Sequence, residues 1–134
     1  MKRNSRLSLA LHTLSHMAAT PQAMRTSADI ADHAGTNPVV VRRVLGKLRQ
    51  AGLLTSEKGH AGGWRLAKAP KEITLADVYL ALDEQLVAGG KRDAADCSVE
   101  HALQNRIFGI LEEIEQGLVK KLSETSIVEI GHLH

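Results

Sequence analysis

The apolar residues of this chain recur mainly at helical spacing, every three or four positions, and this predicts a mainly α-helical protein. The first stripe lies before Pro21 and consists of Leu7, Ala10, Leu11, Leu14, Met17 and Ala18. A second stripe follows Thr74, a residue suited to a helix N-cap, and consists of Leu75, Val78, Tyr79 and Leu82. These patterns predict two amphipathic helices that cover a common aliphatic core.

The segment Ser27–Ala51 predicts two short helices joined by a tight turn. Thr26 or Ser27 can cap the first helix by accepting a backbone N–H. Gly35 ends that helix, and Pro38 suits the first position of the next, where a missing N–H is tolerated. We therefore predict a helix-turn-helix unit.

The second helix of this unit has one face that must be buried and one that must face outward. Its buried positions follow the spacing i, i+3, i+4, i+7 and are Val41, Val44, Leu45 and Leu48. The outward positions are Val39, Arg42, Arg43, Gly46, Lys47 and Gln50. Arginine can bind guanine bidentately and glutamine can bind adenine in the same way, so we expect this helix to read the major groove of DNA. A helical hairpin with an ordinary solvated basic face is the alternative.

Alternating residues on either side of a glycine-rich turn predict a β-hairpin over Leu53–Ala67. A cationic hairpin directly after a helix-turn-helix unit is typical of the wing of a winged helix, and a purely structural hairpin is the alternative. We therefore assign residues 1–82 to a winged helix-turn-helix DNA-binding domain. Beyond the recognition helix, the residues expected to meet DNA are Ser27, Lys58, His60, Gly62 and Gly63.

The rest of the chain predicts a loop over residues 83–98 and a dimerisation helix with a tail over residues 99–134. A helix from about Val99 to Leu122 spans roughly 35 Å, longer than a small domain covers with its own core. Its apolar stripe, expected at a dimer interface, consists of Leu103, Ile107, Ile110, Leu111, Ile114, Leu118 and Leu122. Packing of this stripe within its own chain is the alternative.

Charge also divides the chain into a basic part and an acidic part. Residues 1–71 contain 12 Lys and Arg against 3 Asp and Glu, whereas residues 72–134 contain 5 against 12. A basic half suits a polyanion such as double-stranded DNA. The sequence has no apolar run of the ~20 residues needed to span a membrane, and no signal-peptide core near its start, so we expect a cytoplasmic protein without a membrane partner.

Three stretches give a more specific indication: NPVVVRRVLGKLRQAGLL at 37–54, GHAGGWRLAKAP at 59–70 and EITLADVYLAL at 72–82. Together they resemble the Rrf-type family of bacterial winged-helix transcriptional regulators. The resemblance covers nearly the whole chain. It implies a homodimeric transcription factor, usually a repressor, that crosses its long C-terminal helices to place two recognition helices on a palindromic operator.

Members of this family that bind an iron–sulfur cluster carry three cysteines in the loop before the dimerisation helix, whereas this chain has only Cys97, followed by His101. A cluster needs about four protein ligands, so we expect no cofactor. A cluster sensor whose partner subunit or acidic residues complete the ligand set is the alternative. Because Cys97 lies near a helix N-terminus, it is also a candidate redox sensor, with a buried inert thiol as the alternative.

The sequence gives little indication of a metal site or of catalysis. His12 and His16 have the spacing of a two-histidine metal face, but no third ligand stands beside them in the sequence, so we expect no metal site. No catalytic motif is present, so we expect a protein that is not an enzyme and has no catalytic residues. A small-molecule or protein effector remains open, and a winged-helix protein-interaction module is the alternative function.

Overall fold

The computed structural model describes residues 6–58, 63–82 and 98–131. The helices in these ranges are α1 (Arg6–Ala19), α2 (Ser27–Ala34), α3 (Pro38–Gln50), α4 (Leu75–Ala81), α5 (Ser98–Leu122) and α6 (Ile127–Gly131). Strands β1 (Leu54–Glu57) and β2 (Gly63–Leu66) form a two-stranded antiparallel sheet, and a 3₁₀ turn covers Pro70–Glu72. The mainly α winged-helix fold is therefore confirmed. No helix of the described ranges is long and apolar enough to cross a membrane.

Local interactions explain where α2 begins and ends and where α3 begins. The Thr26 hydroxyl accepts the backbone N–H of Asp29 at 3.1 Å, so Thr26 is the N-cap of α2. Gly35 ends α2 at a φ of 71°, a left-handed conformation that glycine adopts without strain. The Asn37 side chain then accepts the N–H of Val40 at 3.1 Å and caps α3. Both boundaries match the predicted helix-turn-helix unit.

The core of the described chain is aliphatic and lies where α1, α3 and α4 meet. Its largest fully buried side chains include Leu14, Met17, Leu45, Leu48, Ile73 and Leu82. The predicted stripe of α1 is mostly correct, although Leu11 and Ala18 are only half-buried. On α4, Ala76 is buried and Leu75 is half-buried. The first turn of α4 is therefore rotated slightly from the predicted orientation.

The hairpin is attached to the segment before α2. Strand β2 pairs with β1 in the register Leu54 opposite Leu66. On its other side Trp64 exchanges two backbone hydrogen bonds with Arg25, at 2.8 and 3.0 Å. The predicted alternation is only partial, because Leu54 alone is buried in β1 and all four residues of β2 are half-buried. The tip of the hairpin, with His60 and Gly62, lies outside the described residues.

Helix α6 packs back against elements that come much earlier in the chain. Residues 123–126 lead from α5 to α6, where Ile127 is fully buried and its N–H donates to the carbonyl of Ile73 at 2.9 Å. Helix α6 packs against α1, and Tyr79 of α4 donates a hydrogen bond to Glu115 of α5 at 2.7 Å. The proposed division into residues 1–82, 83–98 and 99–134 stays a prediction, and Cys97 lies outside the described residues.

A substitution of Gly63 tests how closely β2 passes the segment before α2. Its φ is +150°, and a Cβ added there would lie 2.5 Å from the carbonyl oxygen of Arg25. We expect Gly63→Ala to lower the free energy of unfolding by at least ~2 kcal/mol, because backbone strain and steric overlap add. The measurement is urea denaturation followed by circular dichroism.

Gly52→Ala is the matched control for this substitution. Gly52 also has a positive φ, 82°, but a Cβ there would meet nothing within 4 Å. Its free energy of unfolding should therefore fall by only roughly 1–2 kcal/mol, the cost of placing alanine in a left-handed backbone conformation. Equal losses for the two variants would contradict the steric role of Gly63.

Candidate DNA-binding surface

The outward face of α3 is the first part of the candidate surface. Val41, Val44, Leu45 and Leu48 are all at most 1% exposed and hold the opposite face in the core. As a result Arg42, Arg43 and Gln50 are exposed, and Val39 is 56% exposed. The structure therefore places these four predicted contact residues on the solvent side of the helix. The exposed set combines two guanidinium groups and an amide, the groups best suited to base edges in the major groove.

Gly46 and Lys47, in the middle of α3, are half-buried. The Lys47 ammonium donates a hydrogen bond to the carbonyl of Leu82, at 3.4 Å, near the C-terminal end of α4. An ammonium group has three N–H donors, so Lys47 keeps donors for a phosphate. At Gly46 an added Cβ would meet nothing within 4 Å, which shows that the space beside this glycine is open. Open space beside a helix glycine allows another backbone to approach closely.

Arg49 is a candidate contact that the sequence-based prediction missed. It is exposed, and its guanidinium donates a hydrogen bond to the Ser56 hydroxyl at 3.2 Å. That bond links the last turn of α3 to strand β1 of the wing. Arg49 follows Arg42 by seven residues, two helical turns, so the helical period alone places both side chains on nearly the same side of α3. The helical spacing could have indicated Arg49, but Arg49 is not directly opposite the buried face of α3.

Ser27 joins the helix-turn-helix unit to the wing. Its hydroxyl accepts a hydrogen bond from the indole N–H of Trp64 at 2.9 Å, and this contact is part-buried. A serine hydroxyl that accepts one hydrogen bond still has its own hydrogen to donate. Ser27 can therefore orient the wing through Trp64 and keep a donor for a phosphate at the N-terminus of α2.

The base of the wing carries opposite charges. Lys58 is exposed just after β1, whereas the Arg65 guanidinium lies 3.6 Å from the Glu57 carboxylate. The two side chains of this ion pair are 37% and 60% exposed, so solvent screens the pair and its effect on stability is small. Glu57 partly neutralises Arg65, so Lys58 is the more available cation.

Comparison with known proteins identifies the fold's relatives. The profile of the Rrf2 family, described as iron-dependent transcriptional regulators, matches residues 3–132. The chain belongs to the Rrf2 family. It is therefore a transcriptional regulator with a DNA-binding winged-helix fold, and it is not an enzyme.

Individual relatives agree with this assignment. YwnA of Bacillus subtilis, provisionally named as an HTH-type transcriptional regulator, is 35% identical over 133 residues, which are 97% of this chain and 98% of YwnA. The transcriptional regulator IscR of Photobacterium profundum is 32% identical over 113 residues, 78% of this chain and 64% of IscR. The crystal structure of a protein provisionally assigned as DNA-binding superposes on this chain with a TM-score of 0.77 and 32% sequence identity. The alignment covers 94% of this chain and 98% of the other.

The donor set of this chain does not fit an iron–sulfur cluster held by one subunit. The sequence contains one cysteine, Cys97, and the nearby His101 is exposed in the first turn of α5. Such clusters are held by about four ligands, mostly thiolates. Cys97 and His101 are therefore too few for one subunit to hold such a cluster.

Gly46 provides a test of the α3 face that separates folding from binding. We expect Gly46→Ala to raise the free energy of unfolding by about 0.5–1 kcal/mol, because alanine favours the helix and the space is open. The same methyl group should weaken DNA binding by ~1 kcal/mol or more, because it lies on the face of α3 that is expected to enter the major groove. The measurements are urea denaturation and fluorescence anisotropy with a labelled duplex.

Gly109→Ala in α5 is the control, since a Cβ at Gly109 also meets nothing within 4 Å. It should gain similar stability and leave the affinity for DNA unchanged. If Gly46→Ala bound DNA as tightly as this control does, the face of α3 around Gly46 would not be in close contact with the groove.

Proposed function

We propose that this protein is a homodimeric, sequence-specific transcriptional repressor that places two copies of α3 in successive major grooves of a palindromic operator. The observation that carries the proposal is the exposed face of α3, where Arg42, Arg43 and Gln50 are held outward by an almost fully buried opposite face. A repressor acts by occupying its operator, which requires specific binding but no catalysis. The cytoplasm is the corresponding location.

Each contact residue has a role that follows from its chemistry. Arg42, Arg43 and Gln50 bind base edges, and Val39 is suited to an apolar contact with a thymine methyl group. Phosphates and the minor groove are contacted by residues around this helix and in the wing, namely Ser27, Lys47, Arg49, Lys58, His60, Gly62 and Gly63. The phosphate contacts position the protein, and the base contacts specify the sequence.

Dimerisation is supported by how α5 divides its apolar residues. At about 100° per residue, the stripe separates into two adjacent faces. Leu111, Leu118 and Leu122 are half-buried, and the last two pack against the core of their own chain. The other face is between 45% and 65% exposed and consists of Val99, Leu103, Ile107, Ile110 and Ile114.

A second copy of α5 is the occupant that this exposed face fits best. It runs from residue 99 to residue 114, four helical turns, without a charged residue on the stripe itself. A face that packs on an identical face obeys the twofold symmetry of a palindromic operator. Contiguous exposed apolar surface of this extent marks an interaction site rather than ordinary surface.

Ile107→Glu should convert the dimer into a monomer, because it places a charge in the centre of the interface. The fold should survive, since Ile107 is 56% exposed within its own chain. Analytical ultracentrifugation gives the mass. Gln116→Glu is the control, because it adds the same charge about 180° around the helix and should leave the dimer intact. A dimer that persists in Ile107→Glu would exclude this face as the interface.

The DNA-binding proposal is tested with Arg43 and a duplex from the region upstream of the protein's own gene. We expect Arg43→Ala to weaken specific binding by about 1–3 kcal/mol and to relax one base preference. Arg43→Lys keeps the charge but loses the bidentate geometry, so it should lose specificity as well. The measurement is fluorescence anisotropy over a range of salt concentrations.

The outcomes separate the possible roles of Arg43. Equal losses for Arg43→Ala on specific and random duplexes, with Arg43→Lys unaffected, would make Arg43 a phosphate contact. No salt-dependent binding by the unsubstituted protein would contradict the DNA-binding role itself and favour the interaction module.

Signal sensing is proposed for the segment before α5, through Cys97. A thiol beside the N-terminus of α5 would have increased reactivity, because the helix dipole stabilises the thiolate. Oxidation of this thiol by an added peroxide, which forms a sulfenic acid while the peroxide is reduced, would alter the start of the dimerisation helix and release DNA. Repeating the anisotropy measurement after mild oxidation tests this, and unchanged binding by the oxidised protein would direct the search to a small-molecule or protein effector.

A further inference from the structure

Three histidines from two helices converge at the junction of α1 and the helix-turn-helix unit. His12 and His16 lie one turn apart on α1, and His33 comes from the last turn of α2. Their ring centroids are 4.2 to 5.3 Å apart, and one ring nitrogen of each lies within 4.8 Å of the others. The sequence showed only the first two, because His33 is 17 residues beyond His16 and folding alone brings it near. The sequence-based expectation of no metal site rested on the absence of a third ligand, and the structure supplies one.

Hydrogen bonding among the rings does not account for this arrangement. The Nε2 atoms of His16 and His33 are 2.9 Å apart, so one must donate and the other accept. That bond uses one nitrogen of each of two rings and leaves the convergent nitrogen of the third ring, His12, without a role in it. A cation that accepts a lone pair from all three rings would use the whole cluster.

The distances suit a divalent transition ion with a preference for imidazole. Zinc binds histidine nitrogen at about 2.0–2.1 Å in tetrahedral geometry, which places neighbouring ligand nitrogens roughly 3.3 Å apart. The Nε2 atoms of His16 and His33 are 2.9 Å apart, and no pair of the ligand atoms exceeds 4.8 Å. Small rotations of the side chains therefore bring all three nitrogens to a common ion. A water molecule can complete the coordination, as in other three-histidine sites.

The surroundings of the cluster leave room for the ion and its water. The histidines line a surface pocket of about 150 Å³ together with Thr13, Arg25, Asp29 and Ile30. Arg25 carries a positive charge, but its guanidinium donates to the hydroxyl of Thr20 at 2.8 Å and to the carbonyl of His16 at 3.3 Å. The carboxylate of Asp29 offsets part of this positive charge.

We infer that His12, His16 and His33 form a binding site for Zn²⁺ or a similar divalent transition ion that links α1 to α2. The site is separate from the α3 face, and it does not depend on the proposed DNA-binding role. An ion held by both helices stabilises the arrangement in which they are packed, because the unfolded chain does not hold the three ligands together.

The test is isothermal titration calorimetry of the untagged protein with Zn²⁺ in the absence of DNA. We expect one Zn²⁺ per chain, bound more than 100-fold more weakly after His33→Ala, since loss of even an outer-sphere partner lowers metal affinity 10- to 100-fold. Zn²⁺ at 100 times Kd should raise Tm by about 5 °C or more in the unsubstituted protein and by much less in the variant, as measured by thermal denaturation.

His101→Ala is the control, because His101 is an exposed histidine on α5 and is not part of the cluster. It should bind Zn²⁺ like the unsubstituted protein. His33→Gln, which keeps a polar side chain of similar size, guards against a folding defect of the alanine variant, and its circular dichroism spectrum should be unchanged while its Zn²⁺ affinity falls.

Nuclear magnetic resonance of the histidine rings gives a readout that needs no variant. Zn²⁺ should shift the ring signals of His12, His16 and His33 together at one equivalent. Equal affinity in the unsubstituted protein and His33→Ala, shifts confined to the other histidines, or no binding below about 1 mM would each overturn the proposed site.

Discussion

The burial of one face of α3 is the constraint on which the rest of the structure depends. Val41, Val44, Leu45 and Leu48 are almost completely removed from solvent, and each buried aliphatic side chain contributes roughly 1.5–3 kcal/mol. Whole domains are stable by only about 5–15 kcal/mol, so rotation of α3 about its axis would remove much of the stability. The core therefore determines which α3 residues face solvent. The same packing keeps Arg42 and Arg43 on the outward side of the helix.

A second set of contacts attaches the wing to this unit. Two backbone hydrogen bonds between Trp64 and Arg25 and the indole bond to Ser27 connect β2 to the segment that starts α2. The Arg49–Ser56 hydrogen bond connects the end of α3 to β1. These contacts lie on both sides of the hairpin, so its base is held by the helices that it accompanies. The glycine at position 63 is explained by the same packing, because the Arg25 backbone passes directly beside it.

Helix α5 shows how a single apolar stripe can have two uses. Its C-terminal part packs against the chain's own core through Leu118, Val119 and Leu122. Its N-terminal part exposes Leu103, Ile107 and Ile110. The helical period places these groups on adjacent faces of one wide stripe, but it does not indicate which face is covered by the rest of the chain. Only the position of α4 and of the core beside α5 shows which residues are already covered.

The sequence by itself determined helices α1 to α5, the caps of α2, α3 and α4, the hairpin and the buried face of α3, because these depend on neighbours close in the chain. It also indicated the family, through three contiguous stretches. The tertiary structure decided what depends on distant neighbours. It placed Arg49 beside Ser56, the Lys47 ammonium beside the Leu82 carbonyl, and His33 beside His12 and His16. It also returned Ile127 to the core, although the last residues gave no clear pattern. Local spacing records which side of a helix a residue occupies, whereas the partner on that side is supplied by the packing of the whole chain.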